Sequence, residues 1–164
     1  MAVHIISTAA QLNTATHLGG AGLDIWSSAP DVSVKFGSVL DAPSEIHGVV
    51  GMLLQGLRRL RTVAMPGDVI QIAIPGGEAS LECLQDANAD ALGLRAHMNA
   101  YEVIEHLEAE GIEIRWLTPV RNHSGIAHAL VEAQGVIARM EARTNPAQSA
   151  APKGIADLAV LAAA

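Results

Sequence analysis

The side chains in this sequence that could do chemistry are few and widely spread. Asp24, Glu45, His47, Glu78, His123 and His128 form the candidate set, because carboxylates and imidazoles together are the donors of zinc and manganese sites. Such sites favour fixed spacings, such as two histidines four apart on a helix, whereas His123 and His128 are five apart. His47, at helical spacing beside Val50, fits a half-exposed helix residue. Asp24, flanked by Leu23 and Ile25, reads as pointing to the solvent face of a strand. Gly76-Gly77 suggests a phosphate cradle but lacks both a Lys-Ser/Thr ending and three-glycine spacing, so a turn needing positive φ accounts for it better. Cys83 is the only cysteine, which excludes an internal disulfide and the usual zinc–thiolate sites.

At 164 residues the chain is long enough for one domain with a real core. Half of it is hydrophobic, yet the aromatics are only Trp26, Phe36, Tyr101 and Trp116. Single-strand binders stack bases on aromatic platforms, and polyanions are held largely by Lys and Arg. Few aromatics and a formal charge of -7 therefore count against strong nucleic-acid binding without excluding a local basic patch. No apolar run approaches the ~20 residues of a membrane span, and Met1-Ala2-Val3-His4 does not start a signal peptide. The expectation is a soluble cytoplasmic protein.

The elements that must position these residues follow from periodicity. Val3 to Thr8 is a β-prone run, and Gln11 to His17 reads as a loop. Gly19-Gly20-Ala21-Gly22 leads into a strand over Leu23 to Ser27. After the Pro30-Asp31 turn, Val32 to Gly37 alternates as a half-buried strand does. Asp41 or Ser44 caps a helix whose apolar face is Ile46, Val49, Val50, Leu53, Leu54, Leu57 and Leu60. Arg58, Arg59 and Arg61 close it, either as cations facing the helix dipole or as nucleic-acid contacts. Gly48, Gly51 and Gly56 cost helix propensity, which close packing on the sheet or a second chain would explain. Pro66-Gly67-Asp68 is a turn before a central strand, Val69 to Ile74.

Glu78 to Leu84 reads as a short helix and Asp86 to Gly93 as a loop. Met98 to Glu110 is a helix turning Tyr101, Ile104 and Leu107 inward and ending at Gly111. Ile112 to Leu117 is a fifth strand. The last amphipathic helix carries Ile126, Ala129, Leu130, Ala133, Val136, Ile137 and Met140. Residues 1–143 make the domain. Residues 144–164 make a tail, with a linker over Thr144 to Lys153 and a weakly helical end over Ile155 to Ala164.

This order resembles type 1 ribonuclease H: a five-stranded mixed α/β sheet, three strands antiparallel and two parallel, flanked by helices. Gly19-Gly20-Ala21-Gly22-Leu23 resembles the family's Gly-rich lead into strand two, and Asp41 to Gly48 the opening of its first helix. Asn99-Ala100-Tyr101 resembles its Asn-x-x-Leu-Trp helix start. Arg115-Trp116-Leu117, followed by Asn122-His123-Ser124-Gly125, resembles its Trp-Val-x-Gly-His-x-Gly segment. Together they cover residues 1 to about 142.

The resemblance implies four carboxylates around two magnesium ions. Carried over, these positions fall on Thr8, on His47 with Glu45 two residues away, on Ile74, and on Leu130 or a near neighbour. None is an acid, and magnesium wants anionic oxygen. Acids restored there are expected to bring at least three carboxylates within reach of one ion pair. His123 matches the family's loop histidine. It is either a retained polar lip of the cleft or a tolerated loop residue before Ser124 as N-cap.

The expectation is therefore a catalytically inactive ribonuclease-H-like module without a cofactor. Acidic charge and scarce aromatics favour a protein partner or a second copy. Weak RNA/DNA hybrid binding would run through Arg58, Arg59, Arg61, Arg95, Arg115 and Arg121. The alternative is an active nuclease cutting RNA/DNA hybrid, with magnesium or manganese at a relocated site of Glu45, His47, Glu78 and His123.

Overall fold

The computed structural model describes residues 1–41, 44–83, 91–117 and 123–144. Three antiparallel strands come first: β1 (Val3–Asn13), β2 (Leu18–Ser27) and β3 (Val34–Val39). Helix α1 (Glu45–Arg61) leads to β4 (Val69–Ala73), which lies parallel to β1. Helices α2 (Glu78–Glu82) and α3 (Ala91–Ala109) precede β5 (Glu113–Trp116), parallel to β4, and α4 (His123–Thr144) follows. The sheet order is β3-β2-β1-β4-β5. This is the five-stranded mixed sheet with flanking helices that the sequence led one to expect.

The glycine turns form as their chemistry requires. Gly67 has φ 89° in a turn closed by the Asp68 amide donating to the Met65 carbonyl, and Gly111 has φ 81° just past α3. Gly76 and Gly77 also have positive φ, as a turn rather than a cradle demands.

Several boundaries differ from the periodicity. β1 continues through Gln11, Leu12 and Asn13, which pair with Gly20, Gly19 and Leu18, so the hairpin is longer than its apolar pattern. Its polar end is held from outside: Gln134 donates to Gln11 at 3.1 Å, and Asn13 to Glu141 at 3.0 Å. The glycines before Leu23 are thus inside β2. β3 is displaced two residues onward, excluding Val32 and Ser33 and including Ser38 and Val39. Ala91 to Gly93 belong to α3 and not to a loop, and α4 already includes His123 and Ser124, so Ser124 is not its N-cap. Thr144 closes α4, one residue beyond the expected domain end. The expected elements at Leu84, Asp86–Asp90 and 145–164 lie outside the described residues.

Side-chain alternation divides the sheet into two faces. Facing α1 are Ile6, Leu23, Ile25, Ile70, Ile72 and Ile74, packed with Leu53, Leu57 and Leu107 into the main core. Burying each of these side chains contributes about 1.5–3 kcal/mol. The other face lies under α4, which runs over Gly20, Gly22 and Gly37. A Cβ at Gly20 or Gly22 would collide with the backbone carbonyl of Ala133 or Ala129, and one at Gly37 with that of Glu132. Glycine there lets helix backbone rest on strand backbone. Within α1, Gly48 and Gly56 are likewise crowded, by Ala10 and Leu40 and by Ile6 and Leu23. Gly51 has nothing within 4 Å, so packing in this chain does not explain it. Among the described residues, no helix is long and apolar enough to cross a membrane.

Candidate functional site

Two of the four positions implied by the family meet. Ser7 pairs with Ala73, so Thr8 and Ile74 lie side by side where β4 ends. Both are fully buried. The Thr8 hydroxyl donates to the Val49 carbonyl of α1 at 3.1 Å, which ties it to the helix backbone. Ile74 is part of the apolar core.

The other two go elsewhere. His47 is half-buried and lines a groove with Leu40, Gly48 and Gln55 on the β3 side of α1, away from Ile74. Its Nδ1 is 2.7 Å from the hydroxyl of Ser44, which occupies the N-cap position without capping a backbone amide. Leu130 is on α4, across the sheet from Thr8. Glu132, the nearest acid to it on α4, has its backbone over Gly37 of β3. Thr8 and Ile74 thus meet beneath α1, while His47 lines a different groove and Leu130 is carried by α4 on the other face of the sheet.

The described members of the relocated set have separate partners. Glu45 borders a cavity of about 270 Å³ with Ala10, Val49, Pro75 and Ser80, but its Oε1 accepts the Leu12 amide at 2.9 Å. Glu78 is exposed at the start of α2. With Glu82 it acts on Tyr101, whose phenol is pushed above its ordinary value first by burial and then by these two carboxylates. His123 opens α4, and its side chain lies outside the described residues. Among the described residues, no three His, Cys, Asp or Glu side chains are grouped so as to hold a metal. A magnesium pair does not fit a bonded threonine hydroxyl beside a buried isoleucine.

Arg58, Arg59 and Arg95 are exposed. Arg61 lies 3.7 Å from Glu110, and Arg115 holds Glu113 through two bonds of 2.6 and 2.8 Å. That contact lowers the Glu113 carboxyl and commits the guanidinium. Arg121 lies outside the described residues.

Asp24 departs most from its sequence reading. It is buried under α4 and not on a solvent face, with Oδ2 accepting from His128 Nδ1 at 2.9 Å and lying 3.8 Å from Lys35 Nζ. Positions 24 and 128 are 104 residues apart, and no local pattern announces the pair. A second buried group, Asp68, accepts the Ala2 and Met65 amides and lies 3.5 Å from His4 Nε2. The two amides first, and then His4, hold its carboxyl below the ordinary value.

The fold is ribonuclease-H-like. The N-terminal ribonuclease H domain from Mycobacterium tuberculosis superposes with a TM-score of 0.57 at 11% identity, covering 81% of this chain and 97% of that one. Ribonuclease H1 from Halobacterium salinarum gives 0.55 at 14% identity, covering 79% and 96%. LC11 ribonuclease H1, solved with an RNA/DNA hybrid, gives 0.50 at 12%, covering 82% and 99%. At such identities the likeness extends to the fold alone. The sequence matches no family model and no curated protein.

Proposed function

We propose that this chain is a ribonuclease-H-like binding module that does not hydrolyse nucleic acid. The observation that carries the reading is the pair at the end of β4: a threonine hydroxyl spent on the Val49 carbonyl, and a buried isoleucine. Neither supplies the anionic oxygen that two-metal chemistry needs. A protein partner or a second copy is favoured over a tightly held hybrid. The chain carries -7, and Arg61 and Arg115 already face acids of the chain itself. Residual hybrid binding through Arg58 and Arg59 is weak and falls steeply with salt, because each neutralised phosphate steepens that dependence. The relocated-metal reading gains nothing from Glu45, which caps β1, or His47, which lies in a different groove.

Calorimetric titration of the full chain with magnesium and with manganese tests the reading. The expected result is no saturable heat with either ion up to about 5 mM. Stoichiometric binding that disappears in Glu45→Gln would overturn it.

A further inference from the structure

Under α4 the sheet carries a feature that the ribonuclease-H-like positions leave unused. Asp24 is only 5% exposed, and its Oδ2 is the common partner of His128 and Lys35. Those two side chains are half exposed, at 51% and 48%, and they line a cavity of about 310 Å³. Ser7 and Trp26 also line it, and the first turn of α4, at Ser124 and Gly125, forms a wall.

The chemistry of this cavity is asymmetric. Because His128 directs Nδ1 to the carboxylate, its Nε2 points away from Asp24. One buried anion stands against a lysine and an imidazole, and the first turn of a 22-residue helix adds the positive end of its dipole. An anion entering the cavity thus meets the Lys35 ammonium beside the positive end of α4. Trp26 is 51% exposed, one of only four aromatics in the chain, and offers a flat apolar surface at the edge of the same cavity. The volume sits at the small end of ligand pockets, enough for one ring system with an acidic group and too little for a polymer.

We infer that this cavity binds a small aromatic anion, with its ring against Trp26 and one phosphate or carboxylate on Lys35 Nζ; His128 reaches the same anion through Nε2 only as the imidazolium, because its Nδ1–H stays on Asp24. Asp24 holds Lys35 and His128 in place and does not touch the ligand. The site lies on the opposite face from Thr8 and Ile74, so it is independent of whether the module hydrolyses anything.

Three calorimetric titrations test it, with adenosine 5′-monophosphate, indole-3-carboxylate and inorganic phosphate. Saturable binding by a ring-bearing anion is expected with a dissociation constant of about 1 mM or tighter, and phosphate alone binds at least roughly tenfold more weakly. A response to the nucleotide assigns a phosphate ligand, and a response to the indole acid a carboxylate ligand. Lys35→Gln and Trp26→Ala change exposed side chains and leave the melting curve in place, yet each weakens binding by roughly tenfold. The inference is overturned if neither ring-bearing anion gives heat at about 5 mM. It is equally overturned if binding is the same in both variants.

Discussion

Under α1 the sheet presents Ile6, Leu23, Ile25, Ile70 and Ile72; under α4 it presents Gly20 and Gly22, then the buried Asp24 and the half-exposed Trp26. The first face is filled by side-chain volume. The second is closed by backbone contact along the glycines and then opens into a cavity lined by Trp26, Lys35 and His128. Thr8 and Ile74 fall on the face packed by volume, where the Val49 carbonyl of the helix takes the threonine hydroxyl. Room for a ligand beside oriented charges exists on the other face. The sheet thus separates Thr8 and Ile74 from the cluster of Asp24, His128 and Lys35.

The two faces should fail differently. Leu53→Ala opens a cavity on the α1 face and should cost about 2–5 kcal/mol in urea denaturation, depending on how far the core collapses. Gly22→Ala adds a single methyl group on the α4 face, where the opposing atom is the Ala129 carbonyl and cannot swing aside. It should cost about 1–3 kcal/mol, and a neutral result would mean that α4 does not rest on β2 as described.

Charge buried at the start of β4 gives a third contrast, this one in pH. Asp68 is held below its ordinary value of 3.8 chiefly by the Ala2 and Met65 amides. Its contribution is therefore fully present above the unfolded value and is lost as pH falls through the lower folded value. Asp68→Asn should be less stable by about 1–3 kcal/mol at neutral pH, with the gap closing below about pH 4. A gap unchanged into strong acid would show that the carboxylate charge does not matter. The smallest effect should be favourable: Gly51→Ala, with open space around it in α1, should stabilise by up to about 1 kcal/mol.

Element order was legible because long amphipathic helices and alternating strands write their period into local sequence. The apolar faces of α1 and α4 could be read directly at Leu53, Leu57, Ala129 and Ala133. The polar end of β1 was not, because Gln11 and Asn13 are strand residues by virtue of a hairpin ladder and of Gln134 and Glu141 far along the chain. The start of β2 is hidden in the sequence because its glycines serve α4, not a turn. The candidate site was less legible still. Sequence spacing cannot say which side of α1 His47 occupies, and Asp24 looked solvent-facing until His128 was brought over it. Contacts between distant segments decided each of these cases, and they leave no local pattern.

Hydrolysis is the property on which the account depends most directly. The purified chain, incubated with an RNA/DNA hybrid and magnesium or manganese, should leave the hybrid intact however long the incubation. Cleavage that copurifies with the chain and is lost in Glu45→Gln or Glu78→Gln would contradict the account, because it would show a working metal site where no three donors are grouped among the described residues.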